Sequence, residues 1–192
     1  MTLLAARPRP ILGPMPLLSA TASHLLLIDF QARLMPAIHD GAGVIARARR
    51  LLGAARLLDV PRGYTEQIPE KLGHTVSDLA PETGEEVLAK SRFDACPETG
   101  LAARIAPGHS IVVAGCEAHV CVLQTVLGLL GAGRDVVVVT DATGSRAPAD
   151  REAALARMAR HGAALVTTEM AIFEWLGGAD HPRFREVIAL VK

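Results

Sequence analysis

The stretch "SIVVAGCEAHVCVLQ" (110–124) combines a strand pattern with a helix pattern that follows it at once. Its first six residues form a short, β-branched apolar run, which is typical of a strand buried on both faces of a sheet. Beyond it, apolar residues recur at helical spacing on two sides, at Val120, Leu123, Leu127 and Leu130 and at Val122, Val126 and Leu129. A helix that is apolar on nearly all sides either lies deep in the core or packs against another subunit.

The same alternation of strand and helix patterns extends through the chain. Five further runs predict strands, at 24–30, 60–66, 85–90, 135–140 and 163–168. Helical patterns lie between most of them, the clearest of which follows the first strand. This order predicts an α/β fold with a mostly parallel sheet and helices on both faces. In such sheets, ligands bind at the carboxyl ends of the strands, near the point where the strand order reverses.

Composition and charge limit the classes of function. A chain of 192 residues predicts one domain, which we place at 22–192 after an irregular, proline-interrupted N-terminal arm at 1–21. The 20 basic residues equal the 20 acidic ones, so no global field recruits nucleic acid or an anionic membrane. No apolar run reaches the roughly 18 residues that suggest a membrane span. Three cysteines suit a reducing cytoplasm better than a disulfide scaffold.

Three reactive side chains follow predicted strands at the functional edge of the sheet. Asp29 ends the first strand, Lys90 ends the third, and Cys121 lies in the first turn of the helix after the fourth. An acid, an amine and a thiol together are what acyl transfer through a thioester requires. We expect the helix N-terminus and Lys90 to lower the pKa of the thiol from about 8.5, and Asp29 to accept its proton.

Each of these residues also has a purely structural interpretation. A lone cysteine in an apolar helix is more often a small core residue, Asp29 could cap a turn, and Lys90 could be a solvated surface residue. An unpaired carboxylate at the end of the buried run "LLLID" (25–29) would be costly, however. From the residues alone, both interpretations stay open.

Metal and redox interpretations of 115–124 fit less well. The spacing of Cys116 and Cys121 matches no common zinc pattern and is not the Cys-Xaa-Xaa-Cys of redox pairs. His119 lies only two residues from Cys121 and is interpreted as a residue at the helix start or rim rather than a base. No glycine-rich dinucleotide or phosphate loop is present, so the sequence does not predict a dinucleotide or nucleotide triphosphate enzyme.

Several segments resemble the isochorismatase-like cysteine hydrolase family. They are "IDFQ" (28–31), "LAKSRFDA" (88–95), "VVAGCEAHVCVLQTVLGLL" (112–130) and "VVVVTDATGSR" (136–146). The similarity continues through 150–170 and covers the chain from about residue 22 to its end. The "TEQ" at 65–67 and the tail "ADHPRFREV" (179–187) are most similar to the isochorismatase domain-containing subgroup.

The resemblance implies a Rossmann-like, three-layer α/β/α sandwich with a six-stranded, mostly parallel sheet. It implies a catalytic triad of Asp29, Lys90 and Cys121. The family carries a non-proline cis peptide before the helix, which here would join Cys116 to Glu117 and turn the amides of Glu117 and Cys121 toward one point as an oxyanion hole. Cys116 is then structural, and Glu117 acts through its N–H rather than through its carboxylate.

The chain also departs from one branch of the family. The nicotinamidase branch carries a metal site after the second strand, built from an aspartate and histidines. Here "TEQIPEKLGHTV" (65–76) contains a single histidine, His74. We therefore infer no catalytic metal and no cofactor.

The function implied is metal-independent cleavage of a small amide or related C–N bond through an acyl-thioester on Cys121. Gln31, Glu66, Gln67 and Arg92 are the candidates for the substrate pocket, although each is equally compatible with a solvated loop. Two alternatives remain: a thiol-independent vinyl-ether hydrolase of the isochorismatase type, and a non-catalytic oligomeric protein that retains the pocket. We expect a small-molecule substrate and a homo-oligomer.

Overall fold

A six-stranded, all-parallel sheet forms the centre of the molecule, in the order β3-β2-β1-β4-β5-β6. The structure is a computed structural model that describes residues 17–192, so residues 1–16 of the predicted arm lie outside the described residues. The strands are β1 (Ser23–Ile28), β2 (Arg62–Gln67), β3 (Glu86–Lys90), β4 (Ser110–Cys116), β5 (Val136–Gly144) and β6 (Ala164–Val166). The strand order reverses between β1 and β4, which pair directly.

Helices cover both faces of this sheet. They are α1 (Gly41–Leu57), α2 (Pro69–Leu72), α3 (Ala95–Thr99), α4 (Leu101–Arg104), α5 (Leu123–Gly131), α6 (Pro148–Arg160), α7 (Thr168–Leu176) and α8 (Phe184–Val191). Alternate strand residues pack into two separate cores: Leu25 and Leu27 face α1, α7 and α8, whereas Leu26 and Ile28 face α5 and α6. The predicted three-layer α/β/α fold is confirmed.

The strand ends differ from the predicted ones for local reasons. The second strand starts at Arg62 rather than Val60, because Pro61 has no N–H to contribute to the ladder. β5 extends to Gly144, since it pairs again with β4 after an irregularity in register between Val113 and Gly115. Helix α7 was not predicted as a separate element, although Thr167 caps it by accepting a hydrogen bond from the Met170 N–H.

The helix after β4 lies deep in the core, which is the first of the two alternatives for its two apolar stripes. Val122, Val126 and Leu129 are fully buried. Val120, Leu127 and Leu130 are partly buried and pack against the same core. Within residues 17–192, no helix is both long enough and apolar enough to span a membrane.

Gly115 allows β1 and β4 to approach closely just before the helix begins. A Cβ atom at this position would lie 2.4 Å from the carbonyl oxygen of Ile28, its partner in the β1–β4 ladder. Because that neighbour is backbone, the clash could not be relieved by a side-chain movement. The glycine therefore brings the residues after β1 and β4 next to each other.

A partly buried histidine at the opposite end of β1 makes stability depend on pH. Burial, with the nearby charges of His109 and Arg134, lowers the pKa of His24 from 6.5 to about 4. The folded state thus favours neutral His24, and this stabilisation is complete above pH 6.5 and lost as the pH falls toward 4. We expect the wild type to lose up to about 3 kcal/mol of unfolding free energy over this interval through His24.

Urea unfolding of the wild type and of His24→Gln between pH 7 and pH 4 checks this prediction. The variant should show a shallower loss of stability, while His161→Gln, at an exposed position, should follow the wild type. An unchanged pH dependence in His24→Gln would contradict it.

Candidate active site

Two of the predicted residues, Asp29 and Lys90, form a buried ion pair. The Nζ of Lys90 donates to Oδ2 of Asp29 at 2.7 Å, and neither side chain is exposed to solvent. Lys90 is the last residue of β3, and Asp29 directly follows β1. A buried charge requires a partner of opposite charge, and these two residues are partners of each other. The structural interpretations, Lys90 as a solvated residue and Asp29 as a simple turn cap, are therefore wrong.

Asp29 is held from both sides. Its φ is +53°, in the left-handed region that aspartate tolerates better than most residues. Its N–H donates to the carbonyl of Thr65 at 3.0 Å, and the Thr65 hydroxyl donates to Oδ1 of Asp29 at 2.6 Å. The carboxylate thus accepts from a neutral donor on one oxygen and from the Lys90 ammonium on the other. Thr65 was not predicted as a site residue, since a threonine in a strand usually indicates only β-propensity.

Removing the Thr65 hydroxyl should destabilise the fold. We expect Thr65→Val to lower the free energy of unfolding by about 1–3 kcal/mol, because valine has nearly the same shape but leaves a buried carboxylate oxygen without its donor. Thr65→Ser keeps the O–H and should lose less. Urea unfolding at pH 7 compares the variants. A larger loss in Thr65→Ser than in Thr65→Val would show that the methyl group matters and the hydroxyl does not.

Cys121 lies beside the ion pair, in a π-helical turn (Ala118–Val122) that joins β4 to α5. The charges of both Asp29 and Lys90 act on its thiol, the first raising its pKa and the second lowering it. The expectation that its pKa is lowered is wrong: burial, followed by the negative charge of Asp29, raises the pKa of the thiol to about 12, and Lys90 opposes this only in part. The resting group is therefore a neutral thiol next to a carboxylate that can accept its proton.

Cys116 and Glu117 occupy the junction between β4 and this turn. The peptide bond between them is cis. Cys116 is fully buried, and burial raises the pKa of its thiol to about 12. We expected only the N–H of Glu117 to have a role, but its carboxylate also forms hydrogen bonds. Its Oε2 accepts from the backbone N–H of Arg146 at 3.0 Å and from the Arg146 Nε at 2.9 Å. It ties the start of the helix to the segment that follows β5.

The four residues predicted for the pocket have different environments. Gln31, Glu66 and Gln67 are buried, so they are not solvated loop residues, whereas Arg92 is exposed. Glu66 accepts from the N–H and the hydroxyl of Thr75, at 2.7 and 2.9 Å, and these bonds hold the segment after α2 against β2. That the four contact a substrate stays a prediction.

Gln67 makes direct contact with the ion pair. Its Oε1 accepts from Lys90 Nζ at 2.7 Å, while its Nε2 donates to the carbonyl of Ser91 at 2.6 Å. Its backbone is bound in turn by Gln31, whose Oε1 accepts from the Gln67 N–H at 2.8 Å and whose Nε2 donates to the Gln67 carbonyl at 3.1 Å.

Two histidines take part in polar contacts. His119 lies in the turn at the helix start, as expected, and its Nδ1 lies 3.0 Å from the Ser145 hydroxyl. His74 Nδ1 lies 2.9 Å from Oε2 of Glu66. Among residues 17–192, no three histidine, cysteine, aspartate or glutamate side chains are grouped so that they could hold a metal ion.

A thiol, a carboxylate and a fixed ammonium thus meet where the strand order reverses. The model of the Isochorismatase domain matches residues 23–170. The chain is 40% identical to isochorismatase domain-containing protein 2 of Macaca fascicularis over 97% of this chain and 90% of the relative. It is 38% identical to isochorismatase domain-containing protein 1 of Danio rerio over 91% of this chain, but this chain spans only 62% of that protein's length.

Solved structures show the same fold. A structure described as MAR1 ribonuclease from Caenorhabditis elegans has a TM-score of 0.83 at 39% identity, over 91% of both chains. YcaC from Pseudomonas aeruginosa, with hexane-2,5-diol and covalent acrylamide, has a TM-score of 0.84 at 26% identity, over 93% of both chains. YcaC from Escherichia coli, described as an octameric hydrolase of unknown specificity, has a TM-score of 0.82 at 27% identity, over 94% of this chain and 89% of its own. Sequence and fold agree, and the chain belongs to the isochorismatase-like hydrolase family.

Proposed function

We propose that this protein is a metal-independent cysteine hydrolase that cleaves a small amide or a related C–N bond through an acyl-thioester on Cys121. The observation that carries the proposal is the buried Asp29–Lys90 ion pair and its proximity to the Cys121 thiol, whose pKa the Asp29 charge raises and the Lys90 charge lowers. A thiol needs a base to become a nucleophile, and Asp29 is a carboxylate in reach of it. The Asp29, Lys90 and Cys121 side chains form the catalytic triad.

In the first half-reaction, Cys121 Sγ bonds to the substrate carbonyl carbon as its proton passes to Asp29. The carbonyl π electrons move to oxygen, and the amides of Glu117 and Cys121 stabilise the resulting oxyanion. When the tetrahedral intermediate collapses, the C–N bond breaks and Asp29 returns the proton to the leaving nitrogen. The products of this half-reaction are a free amine or ammonia and an acyl-thioester.

In the second half-reaction, Asp29 takes a proton from a water molecule while the water oxygen attacks the thioester. Collapse of that intermediate breaks the C–S bond, and Asp29 transfers the proton back to sulfur. A carboxylic acid leaves, and the resting thiol is restored. The Lys90 side chain offsets the negative charge, which moves between Asp29, sulfur and the oxyanion.

A high thiol pKa is compatible with this role. Because the pKa of Cys121 is raised to about 12, the thiolate is not a populated ground state at neutral pH. The proton therefore leaves sulfur during the attack, and it moves to a neighbour that is already negatively charged and hydrogen-bonded.

Two further features of the relatives support related proposals. The acrylamide bound covalently to YcaC of Pseudomonas aeruginosa is a small thiol-reactive amide, and we propose that the site here also takes small molecules rather than nucleic acid. The octameric state described for the Escherichia coli protein supports a homo-oligomer here. Cys96, Cys116 and Cys121 are all free, which fits the predicted cytoplasmic location.

Mass spectrometry tests the function directly. The protein is incubated with acrylamide and with a panel of small primary amides and esters, and adducts are mapped to individual cysteines. We expect the adduct on Cys121, and we expect the acyl adducts to be released by hydroxylamine, as thioesters are. Hydrolysis of an added vinyl ether that survives alkylation of Cys121 would favour a thiol-independent vinyl-ether hydrolase. An unreactive Cys121 with no turnover on any substrate would favour a non-catalytic binding protein.

A further inference from the structure

The Lys90 ammonium is oriented by more than its ion pair. A lysine ammonium has three N–H donors. One contacts Asp29 Oδ2 and a second contacts Gln67 Oε1, both at 2.7 Å. With these two bonds made, one N–H remains, on an ammonium whose charge lowers the pKa of the nearby Cys121 thiol. A fully buried lysine with two fixed acceptors has little freedom to turn away from the sulfur.

Hydrogen bonds fix both the side chain and the backbone of Gln67, so that it can orient the Lys90 ammonium. Its Nε2 bond to the Ser91 carbonyl fixes which end of the amide faces Lys90, because only the oxygen can accept from an ammonium. Its backbone is bound on both sides by Gln31. Ser91 directly follows Lys90, so the Gln67 side chain forms hydrogen bonds with two consecutive residues at the end of β3.

We propose that Gln67 is a positioning residue that aims the Lys90 ammonium at Cys121 and does so without adding negative charge to the site. This inference rests on the proposed function, since it assigns Gln67 a part in activating the same thiol. An amide is the group suited to the task. A carboxylate at this position would also accept from Lys90, but its charge would draw the ammonium away from the sulfur and oppose formation of the thiolate.

The test is the second-order rate of Cys121 alkylation by iodoacetamide between pH 6 and pH 10, with the labelled cysteine identified by mass spectrometry. We expect Gln67→Met, which fills the same space without hydrogen bonds, to react about 10- to 100-fold more slowly than the wild type. Gln67→Glu keeps an acceptor for Lys90 but adds charge, and we expect it to react about tenfold more slowly. Ala156→Glu adds the same charge at an exposed position of α6 and should stay within about twofold of the wild type.

Whether the alkylation rate rises or falls distinguishes a loss of Lys90 positioning from a general loss of stability. A variant that only loosens the fold exposes its buried cysteines, so Cys121, Cys116 and Cys96 would all react faster. A variant that loses the positioning of Lys90 reacts more slowly, and at Cys121 alone. Faster labelling in both Gln67 variants, or rates within twofold of the wild type, would overturn the proposal. If Gln67→Met does not fold, Gln67→Glu decides alone.

Alkylation requires no substrate turnover, so the outcome is separate from that of the proposed function. An absence of hydrolysis by the wild type would count against the proposed function while leaving the alkylation rates interpretable. Equal alkylation rates in an enzyme that turns over would remove Gln67 from the mechanism and leave the hydrolase intact.

Discussion

Replacing Cys121 by alanine should lower the turnover of any substrate found by at least about 10³-fold and should abolish the acyl adduct. The proposed chemistry passes through a covalent bond to Sγ, and no other group at the site can form it. Asp29 and Lys90 are engaged with each other, and Cys116 is fully buried beneath the turn. Steady-state kinetics and intact-protein mass spectrometry measure the two effects.

Cys96→Ala is the matched control. Cys96 lies in α3, where its Sγ is 3.9 Å from the carbonyl of Thr125, and it has no part in the proposed chemistry. This variant should keep wild-type turnover and the adduct on Cys121. Full activity in Cys121→Ala would rule out the covalent mechanism and leave the vinyl-ether alternative.

Replacing Lys90 by methionine should lower the free energy of unfolding by about 3–5 kcal/mol, which is the largest stability effect that we expect in this chain. The substitution leaves the fully buried Asp29 carboxyl group without its cation. Methionine has a similar volume, so the loss reports on charge rather than on a cavity. Urea unfolding at pH 7, followed by circular dichroism, gives the value.

Two controls separate the lost charge from other effects of the Lys90 substitution. Lys71→Met changes an exposed lysine in α2 and should alter stability by no more than about 0.5 kcal/mol. Adding Asp29→Asn to Lys90→Met removes the uncompensated charge and should recover a large part of the loss. A decrease below about 1 kcal/mol in Lys90→Met would show that Asp29 is stabilised by other means.

Much of the fold could be predicted because its signals are local. Runs such as "SIVVAG" (110–115) carry their β-propensity within a few neighbouring residues, and the alternation of strands and helices restricts the sheet to a parallel one. The helix at α7 was missed because its periodic segment follows β6 without a clear break. The shift in register that lengthens β5 was missed because it depends on pairing with β4, which lies elsewhere in the sequence.

The proximity of the candidate residues Asp29 and Lys90 could be predicted from the sequence, but the electrostatics around them could not. Asp29 and Lys90 were identified by position, since the carboxyl ends of parallel strands share one edge. The direction of the Cys121 pKa shift was wrong, because a helix start and a nearby lysine are visible in sequence whereas burial is not. Burial is the largest contribution to that shift. Thr65 was missed for the same reason, since a strand threonine gives no local sign that its hydroxyl meets a carboxylate 36 residues away.

Periodicity, propensity and chain order are enough to predict the order of strands and helices, a core on each face of the sheet and the three candidate reactive residues. The surroundings of those residues depend on how the chain folds. The tertiary structure placed Thr65 on one oxygen of Asp29 and Lys90 on the other, put Gln67 behind Lys90, and gave the Glu117 carboxylate to Arg146. These contacts join distant parts of the chain, and the resulting burial and charge set the protonation state of Cys121.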